Sequence, residues 1–374
     1  MDAKLSSIEV KRQNKKRILR YLLYKEKTTK PEVAKALQLS IPTVGQIIGE
    51  FMDAEMVFEA GMQPSTGGRR AKELCINANY RYAAGIDVTK NHIEIALVNL
   101  RGDIISTLRQ KRKFENSEEY REELRQSYCR FLEELQVTPE TLTGLGVSLP
   151  GIIDRNQACL QRSHILGLKE PMYFVGKQEL SYPVRFFNDA TAGCMAECYA
   201  HTAPEDFVFL SLSNSVGGAV VFHNEIITGK NGRNGEFGHI CIVPGGRTCY
   251  CGKQGHYDPY GSALLLAERA DDSVKKFFEY LEKDHRLETV LEDYLEHLAL
   301  LIYNLHISMD YPVVIGGYVG SYLKPYLPRL KQKLEKYDIF EEGDEYLYTS
   351  QYNVEAAAVG SARYFVEQYI EKTI

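Results

Sequence analysis

The sequence predicts an α/β protein with a winged helix-turn-helix over residues 1–80 and a two-lobed body over residues 81–374. In the first part, apolar residues recur at helical spacing in short segments. In the second, strand patterns alternate with helical patterns in two similar blocks, which is typical of α/β lobes that enclose a cleft. The charge changes at the same boundary: residues 1–80 carry 14 Lys/Arg and 9 Asp/Glu, whereas residues 81–374 carry 31 and 41.

Length and composition narrow the class of protein. A chain of 374 residues is long enough for two or three domains, and its hydrophobic content of 44% is ordinary for a globular protein. The charged N-terminus does not resemble a signal peptide, and the most apolar stretch, residues 298–309, is too short to span a bilayer. Without a secretory context, eight cysteines indicate reduced thiols and metal ligands. We therefore expect a cytoplasmic protein with no membrane partner.

The first 80 residues contain the start and stop signals of three helices and a hairpin. An apolar stripe follows the basic run of residues 11–20, and a capping box at Thr29 and Glu32 begins a short second helix. Ser40 can cap a third helix that extends to about residue 54. Its inward face is predicted to hold Val44, Ile47, Ile48 and Phe51. Two β-prone pieces, residues 56–61 and 73–76, then form the hairpin called a wing.

This pattern predicts contacts with double-stranded operator DNA. Thr43 and Gln46 lie on the outer face of the third helix, where glutamine can read adenine and threonine can contact a phosphate or a thymine methyl. Arg69 and Arg70 lie near the tip of the wing, where arginine can enter a minor groove. A small helical scaffold that docks another protein would show a similar pattern, and it remains the alternative interpretation.

The body is predicted to have two lobes, one over about residues 81–190 plus the C-terminal helix, the other over about residues 191–355. Strands are expected at residues 82–98 (a hairpin), 104–108, 145–150, 184–187, 207–212, 219–222 and 313–315. Helices are expected at residues 117–135 and 287–309, and another begins near residue 189.

One stretch, residues 235–262, concentrates side chains that bind metals. His239, Cys249, Cys251 and His256 supply two imidazoles and two thiols, which is the ligand set of a closed tetrahedral zinc site. Glycines at 245, 246, 252 and 255 allow the backbone to turn tightly around an ion. From spacing alone, a glycine-rich loop that happens to contain these residues is an equal alternative.

The same stretch closely resembles the signature of the ROK family of sugar kinases and transcriptional repressors. GEFGH at 235–239 and CYCGKQGH at 249–256 match its GExGH and CxCGxxGCxE motifs, although His256 replaces a cysteine and Asp258 a glutamate. LPG at 149–151, FNDATAG at 187–193 and DYPVVIGG at 310–317 extend the resemblance over essentially the whole chain. It implies an actin/hexokinase-like fold with sugar in the cleft, nucleotide above it, and structural zinc. Residues 1–80 resemble the DNA-binding domain of ROK repressors.

The resemblance also implies a set of sugar-binding residues. Asn188 and Asp189 match the family's Asn-Asp pair, whose aspartate is the general base in the kinases. Glu236 and His239 match two further sugar ligands, and Asp258 takes the position of the last one. His239 would therefore contact both metal and sugar.

The phosphate-binding motifs of the family's kinases are altered. Their DxGGTK motif corresponds here to residues 87–92, DVTKNH, and their GTGxGG motif to residues 213–218, SNSVGG. Thr89, Lys90, Ser213 and Ser215 thus place Cβ atoms where the backbone must approach phosphate most closely. We expect no catalytic residue and no enzymatic activity, although Asp189 occupies the general-base position, and ATP is not an expected ligand.

These observations predict a DNA-binding transcriptional regulator, a repressor of carbohydrate-use genes, with a small sugar as its effector. Because helix-turn-helix proteins bind two-fold-related half-sites, a homodimer or higher oligomer is expected. One alternative is an ATP-dependent hexose kinase with an appended DNA-binding domain. Another is a regulator whose body docks a protein and binds no sugar.

Overall fold

Three helices and one antiparallel strand pair form the N-terminal part of the computed structural model, which describes residues 7–62, 72–154, 159–173, 181–200, 203–230, 232–339 and 345–372. The helices are α1 (Ser7–Tyr24), α2 (Lys30–Leu37) and α3 (Ile41–Asp53), and the strands are β1 (Val57–Met62) and β2 (Lys72–Ile76). The predicted capping box is present, because Thr29 and Glu32 each accept a bond from the other's backbone N–H. Ser40 caps α3, whose predicted apolar face is buried.

The first half of the body is built on a five-stranded sheet. In chain order it contains β3 (Tyr82–Val88), β4 (His92–Asn99), β5 (Ile104–Lys111), α4 (Glu118–Glu134), β6 (Leu142–Leu149), β7 (Ile152–Asp154), β8 (Cys159–Arg162), β9 (Val184–Asn188) and α5 (Asp189–Ala200). The strand order is β5-β4-β3-β6-β9, and β3, β6 and β9 are parallel. Their carboxyl ends meet at one edge, which brings Asp87, Ser148 and Asn188 together.

The second half repeats this topology. It contains β10 (Phe207–Leu212), β11 (Val216–Phe222), β12 (Glu225–Ile227), α6 (Asp258–Gly261), α7 (Ala263–Ala267), α8 (Val274–Tyr280), α9 (His285–Met309), β13 (Val313–Gly316), α10 (Gly317–Gly320), α11 (Leu327–Leu334) and β14 (Leu347–Thr349). Its strand order, β12-β11-β10-β13-β14, again puts the first strand in the centre and pairs it in parallel with the fourth. The long helix α9 buries one apolar face in this half's core.

The last helix, α12 (Ala356–Lys372), joins the N-terminal part to the body. It packs closely on α5, because a Cβ at Gly360 would overlap the carbonyl oxygen of Ala192. At its other end, Glu371 pairs with Lys16 and Arg20 of α1. Residues of α1, α3 and α12 also share one apolar cluster. Within the described ranges, none of the helices combines the length and the apolar composition needed to cross a bilayer.

Candidate functional site

The four predicted metal ligands converge at one point. His239 lies at the end of a short 3₁₀ turn, Cys249 and Cys251 lie in the following loop, and His256 pairs with Cys241 in an isolated β-bridge. One ligand atom from each of the four residues falls within 4.8 Å of the other three. Cys249 is buried, the two histidines are half-buried, and Cys251 is exposed.

The spacing of these atoms fits a tetrahedral ion. Zinc bonds of about 2.0–2.1 Å to nitrogen and about 2.3 Å to sulfur place neighbouring ligand atoms about 3.3–3.8 Å apart. The two Nδ1 atoms of His239 and His256 are separated by 3.3 Å. His239 Nδ1 lies 3.7 Å from Cys249 Sγ, and His256 Nδ1 lies 3.3 Å from Cys251 Sγ. Both histidines therefore turn Nδ1 toward the centre of the cluster.

Asn188 and Asp189 lie where β9 ends and α5 begins. Asn188 Oδ1 accepts a bond from Thr191 N at 3.1 Å and caps the helix, while its amide donates to Gly151 O at 3.2 Å. Burial raises the pKa of Asp189 to about 6, backbone N–H groups at the helix start oppose this shift, and the charge of Glu236 adds to it. The carboxylate of Asp189 is thus poised to hold or release a proton near neutral pH.

Asp258 and Glu236 contribute the other carboxylates. Asp258 is buried, and its Oδ1 accepts a bond from Val216 N at 2.8 Å, which leaves its second oxygen for other partners. Burial raises the pKa of Asp258 to about 6, and the charge of Glu236 raises it further. Glu236 itself is exposed and lies 4.0 Å from His239 Nε2. Because the charge of Glu236 acts on both aspartates, the three carboxylates lie near one another.

Two further residues, which the sequence did not predict, lie at the same pocket. The Tyr250 hydroxyl lies 3.0 Å from Nε2 of His239, a residue that the sequence predicts to contact a sugar. The Tyr250 ring stacks on His164 with ring centroids 4.2 Å apart and an angle of 14° between the planes. Nothing in the order of the sequence connects these residues, because 86 positions separate them.

An open cleft of about 310 Å³ lies beside the pocket. Lys90, His164 and Ile165 of the first half and Asn214, Tyr250 and Asp258 of the second are among its lining residues. Its volume is at the lower end of the range usual for small-molecule sites. Lys90 and Asn214 belong to the two altered phosphate motifs, so the cleft lies where both motifs meet.

Asp87 is a further titratable group at the floor of the first half. It is buried and accepts a bond of 2.7 Å from the Ser148 hydroxyl. Burial raises the pKa of Asp87 to about 7, the Ser148 bond opposes this shift, and the charges of Asp189 and Glu94 add to it. Asp87 is the first residue of the altered DVTKNH motif. The motif therefore identifies its position, but it does not predict that the side chain is buried.

The predicted DNA-contacting residues are only partly within the described chain. Gln46 is exposed on α3, and its amide lies 3.4 Å from Glu50 Oε1. Thr43 is half-buried, and its hydroxyl bonds to Ser40 Oγ at 2.8 Å. Arg69 and Arg70 lie outside the described residues.

Known proteins are similar to this chain in sequence and in fold. The xylose repressor of Bacillus subtilis (strain 168) is 30% identical over 275 residues, covering 71% of this chain and 70% of that protein. The DNA-binding transcriptional dual regulator NagC of Escherichia coli (strain K12) is 23% identical over 252 residues, covering 66% of this chain and 62% of that protein.

Solved structures support the same fold. A ROK family transcriptional regulator, described as a homolog of the E. coli MLC protein, superposes with a TM-score of 0.74 at 19% identity, with 97% of both chains covered. A ROK family glucokinase from Streptomyces griseus, in complex with glucose and AMPPNP, gives a TM-score of 0.59 at 21% identity and covers 76% of this chain and 98% of its own. The body thus has the actin/hexokinase-like ROK fold. Since residues 83–368 also match the ROK family as a whole, the chain belongs to that family.

Proposed function

We propose that this protein is a sugar-responsive, DNA-binding transcriptional regulator, a repressor of carbohydrate-use genes, whose body senses a sugar and does not phosphorylate it. Relatives named xylose repressor and N-acetylglucosamine repressor support the regulatory role. The observation that carries the proposal is the contrast between a pocket rich in sugar-binding groups and phosphate motifs whose side chains engage the protein itself.

In each altered motif, a side chain bonds to the protein's own backbone. The Thr89 hydroxyl accepts a bond from His92 N at 3.0 Å and lies 3.1 Å from His92 O. The Ser213 hydroxyl accepts a bond from Tyr318 N at 3.4 Å. Backbone N–H groups in such loops are the groups that bind phosphates in kinases. Here the side chains of Thr89 and Ser213 stand at former glycine positions and are held against the protein's own backbone, which disfavours the close approach of a nucleotide.

We infer that residues 1–80 form a winged helix-turn-helix that binds operator DNA. The order of α1, α2, α3, β1 and β2 supports it, and so does the capped, amphipathic α3 with Gln46 on its exposed side. Gln46 and Thr43 would meet the major groove, and Arg69 and Arg70 would meet the flanking groove. A homodimer would place two such units on two-fold-related half-sites.

The sugar would lie in the pocket formed by Asn188, Asp189, Glu236, His239 and Asp258. Carboxylates and an amide suit a ligand whose hydroxyls both donate and accept hydrogen bonds. Residues 81–374 would act as one sensing body, with lobe one at about residues 81–190 plus the C-terminal helix and lobe two at about residues 191–355. The two repeated sheets support that division.

We also propose a structural zinc ion held by His239, Cys249, Cys251 and His256. Two neutral imidazoles and two thiolates form a closed set of four ligands, which suits a structural site better than a catalytic one. The ion would fix the orientation of the His239 ring and leave Nε2 as a hydrogen-bond donor. Glu236, three residues earlier, would be positioned by the same turn.

A contiguous route could carry the effect of the sugar to the DNA-binding part. Asp189 is the first residue of α5, α5 packs closely on α12, and the end of α12 holds α1 through ion pairs. Arg363 of α12 also donates to Ala196 O of α5 and to Gly102 O. A sugar that favours one arrangement of the two lobes would thereby favour one position of α1.

A kinase remains the second candidate, and one observation favours it. The raised pKa of Asp189, about 6, suits a general base near neutral pH. A coupled assay with ATP, magnesium and common hexoses separates the two functions. We expect no ADP formation above background, whereas sugar-dependent turnover of about 1 s⁻¹ or more, typical of kinases, would establish the kinase.

A further inference from the structure

Tyr250 places a hydroxyl where a sugar hydroxyl is expected. Because His239 Nδ1 is turned toward the other three ligand atoms, the proposed zinc ion would leave the ring's hydrogen on Nε2. In that tautomer Nε2 donates to the Tyr250 hydroxyl, which lies 3.0 Å away. A sugar that binds His239 through the same N–H must first remove the phenol, because one N–H makes one strong hydrogen bond.

The same ring also connects the two halves of the body. Tyr250 belongs to the loop that carries the proposed zinc ligands, while His164 follows β8 in the other half. Their rings are nearly parallel, with centroids 4.2 Å apart. Stacked rings of this kind attract each other in addition to burying apolar area. Displacing the phenol would therefore weaken a contact across the cleft.

Tyr250 has a fixed backbone and room to move its side chain. Its neighbours Cys249 and Cys251 both belong to the group of proposed zinc ligands, so an ion bound there would hold the Cα of Tyr250 on either side. The side chain is 41% exposed and faces the cleft of about 310 Å³. Rotation about χ1 and χ2 can thus carry the ring into the cleft without disturbing the cluster.

We propose that Tyr250 is an internal competitor for the sugar and helps to set its specificity. In the sugar-free protein its hydroxyl occupies His239 Nε2 and its ring holds His164 across the cleft. A sugar with a hydroxyl at the matching position takes that N–H, the ring leaves, and the stack on His164 is lost. This inference rests on the proposed sugar-sensing function and adds the residue that links sugar occupancy to the contact between the lobes.

Calorimetric titration of the full-length protein with D-xylose, D-glucose and N-acetylglucosamine tests the competition. Tyr250→Phe removes the hydroxyl and keeps the ring, so we expect it to bind the effective sugar about fivefold more tightly than wild type, since one hydrogen bond no longer has to be broken. Tyr348→Phe, an exposed tyrosine on β14, is the matched control and should leave the dissociation constant unchanged. Unchanged or weaker binding by Tyr250→Phe, while wild type binds a sugar, would overturn the competitor role and leave the sugar sensor intact.

A fluorescence measurement tests the movement itself. The sequence contains no tryptophan, so His164→Trp introduces a single indole that can stack on Tyr250. Saturating sugar should change its emission, whereas the emission of the Tyr348→Trp control should stay constant. A constant His164→Trp signal at sugar concentrations that saturate the calorimetric titration would refute displacement. Failure of wild type and Tyr250→Phe alike to bind any of the three sugars would refute the proposed sugar sensing itself.

Discussion

Replacing Asp189 with asparagine is expected to stabilise the sugar-free protein in a pH-dependent way. Burial raises the pKa of this carboxyl from 3.8 to about 6. A carboxylate at the start of a helix is ordinarily favoured by about 0.3–1 kcal/mol. Because the pKa nevertheless rises, the desolvation of the charge outweighs the helix and its N–H groups. The amide of the variant would keep an oxygen that can accept those bonds and would remove the buried charge.

The sign and size follow from the two pKa values. Between about pH 4 and pH 6 the folded state binds the proton that the unfolded state has lost, so stability falls as the pH rises through this window and is then constant. A difference of about 2 pH units corresponds to at most about 3 kcal/mol. Since the side chain is only half-buried and partly screened by water, we expect about 1–2 kcal/mol. Loss of this charge also relieves Asp87, whose pKa it helps to raise.

Thermal unfolding of wild type and Asp189→Asn at pH 4.5 and pH 8 measures the effect. Because the entropy of unfolding grows with chain length, a free-energy gain of that size should raise the Tm of the variant by about 1–3 °C at pH 8, with a clearly smaller gain at pH 4.5. Asp271→Asn is the matched control, because Asp271 is exposed, pairs with Lys276 and has a lowered pKa. That control should gain no stability at pH 8. An equal Tm change for Asp189→Asn at both pH values would contradict the assignment of a half-buried, destabilising charge.

Substitutions at the proposed zinc site, in α12 and in α3 each have a further expected outcome. Cys249→Ser should lose both bound zinc, measured by elemental analysis, and the response to sugar, whereas Asp258→Ala should retain zinc and lose only the response; a metal-free Cys249→Ser protein with a normal response would separate the two sites. Because Glu371 pairs with Lys16 and Arg20 of α1, Glu371→Gln should reduce the effect of sugar on operator affinity without changing sugar affinity. Fluorescence anisotropy measures the operator affinity, and the exposed-site control Glu335→Gln should behave as wild type. A full response in Glu371→Gln would exclude this contact from the coupling. Gln46→Ala should relax preference at particular base pairs by about 1–3 kcal/mol per position, seen in binding to single-substitution operators; uniform weakening on all operators would instead indicate a contact with the DNA backbone.

The fold was predictable where the chain repeats strong local patterns. The capping box at Thr29, the stripe on α3 and the long α9 depend on residues close in sequence, so their positions follow from spacing. The sequence did not predict several short elements, namely strands β7, β8, β12 and β14 and helices α6, α7, α8, α10 and α11. All of them except α11 have seven residues or fewer, which is too few to show a period, so tertiary contacts decide their conformation. Helix α11 does show a helical spacing, with leucines at 327, 330 and 334.

In the candidate site, too, the sequence predicted what depends on neighbouring residues and missed what depends on contacts between distant ones. Cys249, Cys251 and His256 lie within eight positions of one another, so their spacing alone identified these candidate metal ligands. The contact between Tyr250 and His164 joins two distant segments and requires the relative position of both halves. Likewise, the raised pKa of Asp258 depends on burial and on Glu236, 22 positions earlier. Packing across the cleft creates these properties, and no local pattern encodes them.

Sugar sensing is measured most directly by operator binding with and without sugar. A duplex selected from a random-sequence pool by the wild-type protein is titrated alone and with saturating D-xylose, D-glucose or N-acetylglucosamine. We expect one sugar to change operator affinity by at least about fivefold, and the operator to change the affinity for that sugar by the same factor, since the coupling free energy is reciprocal. Equal operator affinity in the presence and absence of a sugar that demonstrably binds the body would contradict the proposed regulator.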